Sequence, residues 1–183
     1  MAETVGEFLL RRLAQWGVRR VYGVPGEGVA GIVGALERGV AGIELVPARH
    51  EEGAAFMACA HARFGGDVGV CLAGAGPGAI HLLGGLYDAA LNRQPVLAIV
   101  GELPGSAALD LGALLDDVAP GAVHRADAPQ RVAERLDAAL QTARGERRVA
   151  CLIVPADVQQ REAEPAAAPR GMNPPGPLAP GAQ

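Results

Sequence analysis

Short apolar runs alternate with amphipathic stretches through the first 160 residues. Thr4 and Glu7 have the spacing of a capping box, and Val5, Phe8, Leu9, Leu13 and Trp16 follow at helical intervals. Gly17 is placed to end that helix. An apolar run then predicts a strand over 18–24, a helix over 29–38 and a second strand over 43–46. A helix of small residues is expected over 49–65, a buried strand over 68–72 and a glycine-rich loop after it. Pro77 suits a first helical turn, and 96–100 reads as a fourth strand. The pattern weakens beyond Gly101, where 109–118 is expected as a short helix and 122–125 as a short strand. It sharpens again into an amphipathic helix over 129–144 and a buried strand over 149–154. Residues 161–183, rich in Pro, Ala and Gly, are expected to form a disordered tail.

Strands that alternate with helices, and that are apolar without a two-residue period, predict a parallel sheet covered on both faces. The expectation is a single α/β domain over residues 1–160, doubly wound, with a mainly parallel sheet of about six strands. Ligands of such sheets sit outside the carboxyl ends of the strands. Three loops leave those ends with suggestive chemistry: VPGEG, ARHEEG and AGAGPG.

Composition narrows this picture. The 183 residues are 50% hydrophobic but only 3% aromatic, which suits close helix–sheet packing. A net charge of -4 without a basic block argues against a nucleic-acid partner. The apolar stretch 68–101 is broken by Gly, Pro, Asp, Asn and Arg residues, so it reads as core rather than as a membrane span. Cys59, Cys71 and Cys151 are an odd, widely spaced set, expected as buried reduced thiols of a cytoplasmic protein.

GEGVAG, residues 26–31, fits the dinucleotide pattern G-x-G-x-x-G. The context is poor. Gly23, Val24 and Pro25 intervene after the strand, and the second strand ends in Val46-Pro47 instead of an acid for ribose hydroxyls. The competing reading is that these glycines serve a tight turn and close helix packing.

ARHEEGAAFMACAHAR (48–63) and AGAGPGAIHLLGGLYDAALNRQPVLAIVGE (73–102) resemble adjoining segments of the thiamine-diphosphate enzymes. VYGVPGEG resembles the first active-site loop of that family, and RRVACLIVPADVQ its closing strand. The pyruvate oxidase and acetolactate synthase group is the nearest branch, and the resemblance covers residues 1–160 as one domain, the N-terminal domain that binds the cofactor's aminopyrimidine ring.

The resemblance implies thiamine diphosphate as cofactor and Glu51 as the catalytic carboxylate. In the family this glutamate hydrogen-bonds a pyrimidine nitrogen and favours the tautomer that removes the thiazolium C2 proton. Such a group works best in an apolar, water-poor cleft. From position alone Glu51 and Glu52 are equivalent acids at a helix N-terminus. The resemblance selects Glu51 and leaves Glu52 as a solvated acid. It also implies that Ala75, Gly76, Pro77 and Gly78 approach the ring from one side and Pro25 and Gly26 from the other. His81 matches a position near the cofactor, with a partly buried helix residue as the alternative. His50 is read as either orienting the loop or taking direct part, and His61 and His124 as surface residues.

Within these 183 residues no metal set is expected. The family's GDG motif and following Asn, which hold a divalent metal and the diphosphate, have no counterpart; Gly66-Asp67-Val68 leads into a strand. Mg2+ would be held by a partner domain. Glu102 stands where relatives carry Gln, and the segment after it looks shortened. Two functions follow. One is the pyrimidine-binding subunit of a split enzyme acting on a small 2-keto acid, as a homodimer or with a separate diphosphate-binding chain. The other is a non-catalytic binding or regulatory module that keeps the fold and the interface.

Overall fold

A computed structural model describes residues 2–105 and 109–169 of the chain. Helix α1, Val5–Gln15, opens with the expected capping box: the Thr4 hydroxyl accepts from Glu7 N at 3.3 Å, and the Glu7 carboxylate accepts from Thr4 N at 2.9 Å. Its inner face, Val5, Leu9, Leu10 and Leu13, is fully buried. Strand β1, Arg20–Gly23, helix α2, Ala30–Glu37, a 3-10 turn, Val40–Gly42, and strand β2, Glu44–Pro47, follow. Then come α3, Glu51–Gly65, β3, Gly69–Ala73, α4, Pro77–Leu91, and β4, Val96–Glu102. The chain continues through α5, Leu111–Asp116, β5, Val123–Arg125, α6, Pro129–Glu146, β6, Val149–Pro155, and α7, Ala156–Gln159.

All six strands pair in parallel, in the order β2-β1-β3-β4-β6-β5. This is the expected doubly wound α/β sheet. β3, β4 and β6 are buried almost end to end, which explains why their sequences are continuous apolar runs. From β1 the chain moves outward to β2; from β3 it moves the other way to β4. The sheet therefore has its switch point between β1 and β3, and ligands of such sheets bind at the strand carboxyl ends there.

Small residues set how closely helices approach. A Cβ on Gly69 would stand 1.9 Å from the Ala58 carbonyl oxygen, so α3 lies directly on β3. Ala54, Ala55, Ala58 and Ala62 form that buried stripe. Gly85 of α4 meets Ala55 of α3 in the same way, at 2.6 Å from a notional Cβ.

Three expectations are corrected. The strand expected over 18–24 begins only at Arg20, because Val18 N is still bonded to Leu13 O at 3.0 Å. His61 and His124 are half-buried rather than on the surface: His61 Nδ1 lies 3.0 Å from the Tyr22 hydroxyl, and burial lowers the pKa of both rings. The segment expected to be disordered from residue 161 is bound to the domain as far as it is described. Glu162 bridges Thr4, Ala163 N donates to Glu3 O at 2.8 Å, and Ala167 O accepts from Arg12 at 2.5 Å. Arg12 is only 6% exposed and also holds Asp137 through two contacts, 2.9 and 2.5 Å, so its guanidinium needs those acceptors. Residues 170–183 of the expected tail lie outside the described residues.

Cys59, Cys71 and Cys151 are free and buried, as expected. Cys71 and Cys151 both stand in register with Ala98, with β4 between them, so they cannot be bridged. Burial pushes the Cys71 thiol up to about 12. Among the described residues no helix is long and apolar enough to cross a membrane.

Candidate functional site

The loops after β1 and β3 meet at the switch point. Ala75 N donates to Glu27 O at 3.0 Å, and a Cβ on Gly74 would stand 2.6 Å from the same oxygen. Gly28 has φ +87° and lies against Ala75, with 2.8 Å between a notional Cβ and the Ala75 methyl. Only glycine meets both demands. Gln159, fully buried, fills the other side. Its amide donates to Gly28 O at 2.6 Å and to Val154 O at 2.9 Å, and its oxygen accepts from Ile32 N at 3.3 Å. The first turn of α2, where the dinucleotide reading would seat a pyrophosphate, is thus capped by a side chain of this chain. A Cβ on Gly31 would meet Gln159 at 2.7 Å. Gly28 and Gly31 of GEGVAG serve packing and not a pyrophosphate.

The chemistry lies one strand over. Ala48 N donates to Gly23 O at 2.8 Å, tying the exit of β2 to the end of β1, and α3 begins three residues later at Glu51. His50 is the N-cap of α3: its Nδ1 accepts from Glu52 N at 3.3 Å. A neutral His50 accepting there carries its proton on Nε2. Its ring stacks on His81 of α4, with centroids 4.6 Å apart and planes at 29°. His81 Nδ1 in turn lies 3.1 Å from Glu51 Oε2. The Glu51 side chain is 17% exposed, against 44% for His81. The helix terminus under Glu51 favours its negative charge.

The other carboxylate oxygen, Oε1, faces Gly78. A Cβ at Gly78 would stand 3.1 Å from it, so glycine there keeps the carboxylate uncrowded. Gly76 adopts φ 70°, ψ -124° as N-cap of α4, a backbone state open to glycine, and Pro77 occupies the first turn as expected. Open space lies where Cβ atoms on Gly26 and Gly76 would stand.

Of the residues selected from sequence, the fold brings Glu51, Gly78 and His81 into direct contact. Ala75 is held against the β1 loop. Pro25 and Gly26 are exposed in the loop after β1, and a Cβ on Gly26 would meet nothing within 4 Å, Glu51 included. Glu52 is exposed but rests on α4, where a Cβ on Gly84 would meet its Oε1 at 2.4 Å. Asp67 of the GDG-like triplet is bound by Arg144 at 2.9 Å.

Sequence reasoning missed three things. Gln159 gave no signal beyond its place at the end of the closing motif. The joining of His50 to His81 crosses two elements, so no spacing betrays it. Glu102, noted only as a replacement for Gln, is gripped at both oxygens by Arg125 of β5.

A search of known families matches residues 3–117 to the family described as "Thiamine pyrophosphate enzyme, N-terminal TPP binding domain". The chain is 38% identical over 165 residues to the putative thiamine pyrophosphate-containing protein YdaP of Bacillus subtilis, covering 85% of this chain and 28% of that protein. It is 42% identical over 97 residues to pyruvate oxidase of Lactiplantibacillus plantarum, covering 53% of this chain and 16% of the oxidase. The same identity and length of match relate it to the acetolactate synthase isozyme 2 large subunit of Escherichia coli, 17% of which is covered. The chain therefore spans well under half the length of these relatives.

Proposed function

Because the chain belongs to the thiamine pyrophosphate enzyme family, through its N-terminal TPP binding domain, we propose that it presents Glu51 to the aminopyrimidine ring of thiamine diphosphate for chemistry on a small 2-keto acid. The single observation that carries this is the state of the Glu51 carboxylate. Oε2 is held by His81, while Oε1 stands beside a residue without a side chain. A flat ring can approach that oxygen past Gly78, with open space at Gly76 beside it.

Thiamine diphosphate supplies an acidic thiazolium carbon and an electron sink for the keto acid. The chain's own residues bind and orient. Glu51 would share a proton between its free oxygen and a ring nitrogen of the bound cofactor. His81 fixes the rotamer of that carboxylate. Gly76, Pro77 and Gly78 allow close backbone approach, with Pro25 and Gly26 across the cleft. The residues present fit the pyrimidine end. They do not fit the diphosphate: the α2 N-terminus is capped by Gln159, and Asp67 is engaged by Arg144. In this reading the diphosphate and Mg2+ are held by a separate chain in a split cytoplasmic enzyme.

The pairing surface is the α3–α4 face. Phe56, Ile80, Tyr87 and Leu91 are 44, 46, 39 and 84% exposed along it, an apolar strip suited to a second copy or to the diphosphate-binding chain. The Glu102–Arg125 pair favours a second reading, a non-catalytic module, because it engages the side chain at the position where relatives carry Gln. Co-expression with a diphosphate-binding chain separates the two. In the enzyme reading Glu51→Gln lowers turnover of pyruvate by about 100-fold or more, the range of a lost acid–base group, without loss of co-purification. Unchanged turnover in Glu51→Gln removes the assigned role of Glu51. Assembly without cofactor binding supports the module.

A further inference from the structure

His50, Glu51 and His81 form a 2-His-1-carboxylate cluster. One donor atom from each lies within 4.8 Å of the others, and it is the one such group among the described residues. We propose that this cluster is a binding site for a first-row divalent transition ion, Zn2+ in the first instance, distinct in kind from the Mg2+ that accompanies the cofactor's diphosphate.

The donor set argues for the ion. Two imidazoles and one carboxylate suit zinc and its neighbours, whereas Mg2+ prefers oxygen alone. Each ligand is independently placed. His50 caps α3 in the ion-free chain; binding an ion through Nε2 moves its ring proton to Nδ1 and releases the Glu52 amide, which turns to water at the exposed helix terminus. His81 comes from α4, which is locked onto α3 through the Gly85–Ala55 contact. Glu51 supplies the single negative charge. Donors bound at about 2.0–2.1 Å around a tetrahedral ion lie roughly 3.3 Å apart, so closing the site brings donor atoms up to about 1.5 Å nearer one another through side-chain rotation. His50 and His81 are exposed, so an ion reaches the site from solvent, and water completes its coordination.

The site involves no cofactor and no partner chain. It can therefore fail while the thiamine reading stands, and the reverse. If both hold, an ion on Glu51 occupies the carboxylate that the pyrimidine needs.

The test is titration of the full chain with Zn2+ by calorimetry, and with Co2+ by absorption. One ion per chain is expected. Glu51→Gln, His81→Ala and His50→Asn each weaken binding at least tenfold, the least expected for a direct ligand when outer-shell partners already cost 10–100-fold. His50→Asn keeps a side chain able to cap α3, so its loss of binding reports the ligand and not the helix. Zn2+ also raises the unfolding midpoint of the unaltered chain and not of the variants. Binding that survives all three substitutions overturns the proposal. So does a cobalt spectrum with sulfur-to-metal bands, which would move the ion to a cysteine.

Discussion

Gln159 shows how much one side chain can decide. It is fully buried, satisfies two carbonyls and one amide, and joins the end of the chain's last strand to the loop after its first. Its removal strands backbone groups away from water, which costs more than the bonds themselves contribute. Gln159→Ala should therefore lower stability by about 2–4 kcal/mol in urea unfolding. A loss under about 1 kcal/mol would mean that those backbone groups find other partners. The same residue settles the reading of GEGVAG. The motif is local, but what occupies the α2 N-terminus is not, so the motif's meaning depended on a residue more than a hundred positions away. Glu51 is the opposite case. Its selection rested on ARHEEG and the family resemblance, and the residues that frame it are contiguous. What could not be read was that His81 takes one of its oxygens and His50 stacks behind.

Helix α3 is bound to β3 and to α4 by small residues, and the site inherits its geometry from those contacts. Gly85→Ala would put a methyl 2.6 Å from both the Ala55 methyl and Phe56 N, atoms on a neighbouring helix with little room to retreat. Overpacking of this kind costs about 1–3 kcal/mol. Gly145, near the end of α6, has open space where its Cβ would stand. Gly145→Ala should raise stability, by about 0.5–1 kcal/mol at most, because it removes freedom only from the unfolded chain. Unfolding midpoints of the two variants should move in opposite directions; movement in the same direction contradicts the close-approach argument. Periodicity located nearly every element because apolar runs and caps are local signals. It overlooked the short turn at Val40–Gly42 and the four-residue α7, which are too brief to carry a period.

The whole domain leaves an apolar strip on one side. Ile80, Tyr87 and Leu91 lie seven and eleven residues apart on α4, so they share one helical face, and Phe56 of α3 adds to it. If that face pairs, sedimentation velocity should show a dimer of the full chain, or a complex with an added diphosphate-binding chain. Ile80→Asp with Leu91→Asp should return it to monomer without lowering the unfolding midpoint, since both residues are already exposed. A chain that stays monomeric at high concentration and binds no partner contradicts the pairing. At the same scale, residues 163–169 depart from expectation. Their composition cannot build a core, but their backbone carbonyls and amides can still bind α1 and the buried Arg12.

By itself the sequence determined the fold class and the order of strands and helices, and it singled out the glutamate at the head of α3 as the residue to test. These rest on local spacing and on a run of neighbouring residues. Only the tertiary structure decided that the GEGVAG loop is filled by Gln159, that Glu102 is engaged by Arg125, and that two histidines thirty-one positions apart converge on Glu51. Each is a contact between side chains from different elements. Such contacts are fixed by how helices settle on the sheet, which residue spacing along the chain does not encode.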